Sequence, residues 1–203
     1  MVEIINEIKV NFSHKDKEDY LKYVEIIGKK IINFLIFYFC KKRNTDSLNY
    51  KNISDLIRYD KRIKYNVFRF LNTIEDKIKQ KLIDNTIYYK KFEIANNSED
   101  FTTLNELNEL DSNYYTLGTI LKELKKLKLI DDLEEKNFKS VLELRNKIVH
   151  FTLIYTNLEW FTKKLYELKN LLPEDYQKGY IKVINESKKQ FKIVSDLLIE
   201  DLK

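Results

Sequence analysis

The strongest hydrophobic pattern in the chain lies in its first half. Leu56, Ile63, Val67, Phe70, Leu71, Ile74, Ile78 and Leu82 keep helical spacing across about thirty residues. Asn52 with Asp55 three positions later marks a helix start. Asn96-Asn97-Ser98 ends the pattern, and residues 102–112 are polar and weakly patterned, as a loop would be. An earlier helix is predicted over about residues 17–42, followed by a polar connection over residues 43–51. Residues 117–129 form a helix with Ile120, Leu121, Leu124 and Leu127 on one side. Further helices are predicted over about residues 134–150 and 153–171. Pro173 followed by Glu174 and Asp175 opens a last helix. Tyr176, Tyr180, Val183, Phe191, Val194 and Leu198 give it one apolar face to about Leu202.

Composition supports this pattern. One proline and three glycines in 203 residues are far too few for the many turns of a sandwich, barrel or doubly wound sheet. No repeat, low-complexity tract or Pro/Ser-rich linker divides the sequence. The expectation is one all-α domain over residues 1–203, a bundle of five to seven helices. Hydrophobic residues at 43% and charged residues at 34% fit a soluble globular protein. Cys40 alone excludes a disulfide framework, and one cysteine with two histidines excludes a four-ligand Cys/His zinc site. The first ten residues carry Glu3 and Glu7 and do not read as a signal peptide, so a cytoplasmic location is expected.

Residues 31–40 are the most apolar run, bracketed by Lys29-Lys30 and by Lys41-Lys42-Arg43. Ten helical residues rise about 15 Å, half of a hydrocarbon core of roughly 30 Å. The run reads as a buried helix without stable membrane insertion. Its basic flanks support a peripheral-membrane role as an alternative. The balance of 37 Lys+Arg against 32 Asp+Glu, net +5, permits contact with nucleic acid or an anionic surface without demanding either.

Candidate chemistry concentrates in residues 138–150. On a wheel at 100° per residue with Phe138 at zero, Leu142, Val149, Val141 and Ile148 form an apolar arc. Arg145 falls within it, near 340° on the same wheel. A guanidinium that faces a core or interface needs a fixed anion there, either a structural carboxylate or a phosphate. Asp60, inside the apolar arc of the long helix, is a candidate for that carboxylate. Asn146 and His150, four apart, stack on the flank where apolar and polar faces meet. On geometry alone, the simpler account is Arg145 paired with a buried acid such as Asp60 and His150 capping the end of its helix.

Leu144-Arg145-Asn146-Lys147-Ile148-Val149-His150 resembles the Arg-Asn-x3-His signature of HEPN-domain ribonucleases. More of the chain is similar to the Abi-like abortive-infection branch of that superfamily. Tyr59-Asp60-Lys61-Arg62-Ile63-Lys64, continuing to Ile74-Glu75, resembles the branch's long-helix pattern. Leu117-Gly118-Thr119-Ile120, with Leu124 and Leu127, resembles its Phe-Gly-Thr-Leu helix, and Tyr155 and Asn157 match an aromatic and an asparagine after the histidine. The resemblance is strongest over residues 54–157. Phe151 stands where the family has a second histidine, and Leu153 where it often has a basic residue.

The resemblance implies a HEPN-like helical bundle and a metal-independent endoribonuclease with a composite site at a homodimer interface. It also implies a role as a toxin in abortive-infection phage defence, restrained by an antitoxin protein or a regulatory RNA. Arg145 would hold the scissile phosphate, Asn146 would orient the phosphate or the histidine, and His150 would be the general acid/base. Asp60 would either position Arg145 or stand as a plain surface residue at a bent helix start. Lys147 and Lys163 are candidates for contacting flanking phosphates. Tyr155 and Trp160 either stack bases or, as aromatics at helical spacing more often do, belong to the core. No cofactor is expected, since no aspartate-rich or His/Cys cluster suggests a metal. His14 lies in the polar stretch Ser13-His14-Lys15-Asp16, which leaves one usable histidine per chain; two copies would supply the pair that acid and base catalysis needs. A non-catalytic RNA-binding or protein-interaction module is the alternative of a different class.

Overall fold

The computed structural model describes residues 1–83, 116–150, 152–189, 191 and 197–203. The break at Asn96-Asn97-Ser98, the loop over 102–112, and Phe151 and Val194 lie outside the described residues. Seven α-helices occur among the described residues, with one small sheet, so the chain is predominantly all-α and compatible with a helical bundle. The elements are β1 (Val2–Ile5), β2 (Ile8–Asn11), α1 (His14–Ile27), α2 (Lys29–Arg43), β3 (Ser47–Asn49), α3 (Tyr50–Ile83), α4 (Leu117–Lys126), α5 (Asp132–Val149), α6 (Leu158–Leu171) and α7 (Glu174–Glu186). Residues 1–66, 153–155 and 181–203 form one compact unit, and residues 67–152 and 156–180 a second.

The helix predicted over 17–42 is two helices. Gly28 separates α1 from α2 at φ 88°, ψ 146°, a conformation open to glycine and costly for other residues. Ser13 and Asp16 form a reciprocal capping box that starts α1 three residues before the expected boundary. The apolar run becomes α2, which buries Ile32, Leu35, Ile36, Phe39 and Cys40 and leaves Phe34 and Phe37 exposed. No helix among the described residues is long and apolar enough to cross a membrane.

The sheet has strand order β1-β2-β3, antiparallel then parallel. Its hairpin turn, Asn6-Glu7, holds both residues at positive φ, 49° and 68°, as the mirror-image hairpin turns require. Glycine usually signals such a turn, and its absence hides this one in the sequence. Ile8 and Val10 face inward while Lys9 and Asn11 face out. Beyond β2, the rings of Phe12, Tyr20 and Tyr50 meet with centroids 5.1–5.4 Å apart.

α3 starts at Tyr50, directly after β3, and runs for 34 residues, about 51 Å at 1.5 Å per residue. Leu56, Ile63, Val67, Leu71, Ile74, Ile78 and Leu82 are buried along it as the periodicity predicts. In the second unit α5 packs against α4 and α6, and Gly118 of α4 admits the Leu142 side chain to 3.8 Å from where a Cβ would stand. The last helix ends at Glu186, well short of Leu202. Ser187 turns back on the helix, its hydroxyl donating to the Val183 carbonyl at 2.8 Å. Leu202 is then held to Asn185 by two hydrogen bonds, 2.9 Å and 3.0 Å, so the final residues pack as a strap instead of a helix.

Candidate active site

α5 begins with a capping box of Asp131 and Glu134 and carries Asp132, Glu134 and Glu135 in its first turn. Its buried residues are Phe138, Val141, Leu144 and Ile148. On the wheel these centre near 290°, so the buried face is rotated from the arc expected from the sequence. Leu142 is half-buried and Val149 is exposed at 37%. Arg145 therefore sits at the edge of the core, not in its middle, and its side chain is 37% exposed.

Its anion is Glu75 of α3. Arg145 Nε donates to Glu75 Oε1 at 3.2 Å, and the Glu75 side chain is 16% exposed. The guanidinium spends only this N–H on the carboxylate. Its two outer amino groups have no partner among the described residues and are left to meet an anion from outside. Asn146 and His150 are both exposed, with no side-chain hydrogen bond among the described residues. His150 closes the helix, its backbone N–H donating to the Asn146 carbonyl at 2.9 Å. Asn146 and His150 are neighbours at i, i+4. Arg145 and His150 are about 140° apart around the helix axis.

Asp60 has its partners within its own unit. Its carboxylate accepts from Lys64 Nζ at 2.6 Å and from the backbone N–H of Ile154 at 2.9 Å, all within the first unit. Asp60 and Lys64 are both buried, 4% and 8% exposed. Burial pushes the Asp60 carboxyl above its ordinary value, and Lys64 and the Ile154 amide offset this only in part. The residue is a structural tie between one turn of α3 and the chain that follows α5. Tyr155 is no stacking platform either. It is 3% exposed, its hydroxyl donates to the Leu56 carbonyl at 3.0 Å, and its ring lies 5.5 Å from that of Tyr38. Burial also raises its phenol well above the usual tyrosine range.

Lys147 is exposed, and its ammonium lies over the Trp160 ring at 5.0 Å from the centroid. Lys164 approaches the same ring at 5.5 Å and also pairs with Glu167 at 3.0 Å. Lys163 is exposed. His14 is solvated, 94% exposed and 3.6 Å from Glu18.

Glu75 is the residue that sequence reasoning passed over as a partner, though it stands in the quoted Ile74-Glu75 pair. Its signal was an acid beside the buried stripe of α3, directly after the buried Ile74. Glu75→Gln is expected to change stability by no more than about 1 kcal/mol, because more than a third of Arg145 is in water and screened there. Urea unfolding measures this, and a loss above roughly 2 kcal/mol would make the pair an anchor of the fold instead. No protein-family model, curated protein or solved structure matches the chain.

Proposed function

We propose that the chain is a metal-independent endoribonuclease of the HEPN type, with a site composed by two copies of the chain. The observation that supports this most is the state of Arg145. A carboxylate fixes its Nε while both outer amino groups have no partner among the described residues, an arrangement that suits a bidentate phosphate clamp.

In the proposed reaction Arg145 neutralises the scissile phosphate. One imidazole takes the proton of the 2′-hydroxyl as that oxygen attacks phosphorus, and the other gives a proton to the departing 5′-oxygen. The products are a 2′,3′-cyclic phosphate and a 5′-hydroxyl. Each chain contributes His150, and Asn146, one turn before it, orients the imidazole or a phosphate oxygen. A two-fold axis beside the exposed flank of α5 would bring two Arg145 and two His150 together, with Leu142 and Val149 as apolar contact. The resemblance over residues 54–157 supports a cytoplasmic role as a toxin in abortive-infection defence, under control of an antitoxin protein or a regulatory RNA.

The separation of Arg145 and His150 around α5 favours one other reading, a non-catalytic RNA-binding or protein-interaction module. Incubation of RNA with the purified protein in EDTA decides between them. Cleavage that persists in EDTA and is lost in Arg145→Ala and His150→Ala supports the nuclease. Equal cleavage by wild type and His150→Ala overturns it. Salt-sensitive RNA binding without cut products gives the module.

A further inference from the structure

A second feature of the first unit has no place in that chemistry. The outward face of the first half of α3 carries Lys51, Arg58, Lys61 and Arg62 around a groove of about 590 Å³, whose lining is completed by Asp55, Tyr65 and Phe191. Lys51, Arg58, Arg62 and Tyr65 follow one helical stripe, and from Lys51 to Tyr65 the axis rises about 21 Å.

The four cations fall into two kinds. Lys51 lies 3.5 Å and Arg58 3.7 Å from Asp55, and Arg58 also donates to Asp19 at 2.7 Å, so carboxylates neutralise this pair in part. Lys61 and Arg62 have no carboxylate within ion-pair distance among the described residues. Each lies over an aromatic ring, Lys61 5.1 Å from the Tyr23 centroid and Arg62 5.1 Å from that of Phe191. A ring face holds a cation in place without cancelling its charge. Tyr65, beside them, is 69% exposed. Positioned, uncancelled cations next to an open tyrosine ring are the parts with which proteins hold single-stranded nucleic acid, phosphates on the cations and a base on the ring. A lipid surface or a bare phosphate would use the charges and leave the ring idle.

We infer that this groove binds single-stranded RNA, as a site separate from Arg145 and His150. A stacked strand advances about 3.4 Å per nucleotide, so a groove roughly 21 Å long takes about six. The inference does not depend on the chain being a nuclease.

The test uses the full chain carrying His150→Ala, so that binding is read without cutting, and fluorescence anisotropy with a labelled 12-nucleotide single-stranded RNA. Lys61→Ala/Arg62→Ala is expected to weaken binding at least tenfold and to lower the slope of log K against log salt by about 1.4, two single-strand contacts. Tyr65→Ala is expected to weaken it about tenfold and Tyr65→Phe less than twofold, because stacking needs the ring and not the hydroxyl. Circular dichroism confirms that each variant is folded. No measurable binding by the parent, or unchanged affinity in both alanine variants, overturns the groove. Equal affinity for a duplex of the same length, or loss of phosphatidylserine-vesicle capture in the alanine variants with RNA binding intact, also overturns it. Cleavage assays on chains with an intact His150 report on the nuclease independently.

Discussion

Asp60→Ala is expected to cost the protein about 3–5 kcal/mol of stability, the range for removing one partner of a buried ion pair. The loss has two parts. Lys64, 8% exposed, keeps its ammonium with no counter-ion at 2.6 Å, and the Ile154 N–H loses its acceptor in a buried setting. Urea denaturation measures the change. A loss below about 1 kcal/mol would mean that water reaches Lys64 and the tie is unimportant.

The same carboxyl gives a pH signature opposite to that of an ordinary paired aspartate. Burial raises it above 3.8, so the folded protein keeps a proton there at pH values where the unfolded chain has lost it. The proton-linked part of its contribution to stability is full below 3.8 and falls as pH rises through the raised folded value, on top of the tie to Lys64 and Ile154. Asp60→Asn does not titrate at this position and serves as reference. Between roughly pH 7 and pH 4 the stability difference should move in favour of wild type as pH falls. Movement the other way would show that Lys64, not burial, governs the group.

His150→Ala is expected to slow RNA cleavage by about 10²- to 10⁴-fold, the range for removing a general acid or base. The fold should not notice. The side chain is exposed and without a hydrogen bond among the described residues, and the N–H that closes α5 belongs to the backbone. Thermal unfolding should therefore superimpose on wild type while product formation, followed on a labelled RNA, falls by orders of magnitude. A drop of less than fivefold would remove His150 from the proton transfers and leave Arg145 as a binding residue only.

How much of this was visible in the sequence depended on periodicity. The buried stripe of α3 was legible from Leu56 to Leu82, because a long helix repeats its instruction many times. The sheet was not, because Asn6-Glu7 makes a positive-φ turn without glycine, and β3 is three residues long. The end of α7 was missed for a related reason. Apolar positions continue to Leu198 and Leu202, yet they are buried in the strap that Asn185 and Tyr59 hold. At the candidate site, the helix and the spacing of Arg145, Asn146 and His150 could be read directly. Partner choice could not. Asp60 and Glu75 both stand on α3 as acids near its buried stripe, and only the packing assigns the first to Lys64 and the second to Arg145. Tyr155 shows the same limit, since an aromatic beside a motif looks alike whether it faces solvent or, as here, the Leu56 carbonyl.

Trp160 is the only tryptophan in the chain, and the ammonium of Lys147 rests on its ring, one residue along α5 from Asn146. Indole emission is sensitive to a charge at that distance. The protein thus carries its own optical probe, and light from one residue reports whether an anion has disturbed Lys147 or Lys164, the two ammonium groups over its ring, with no label attached.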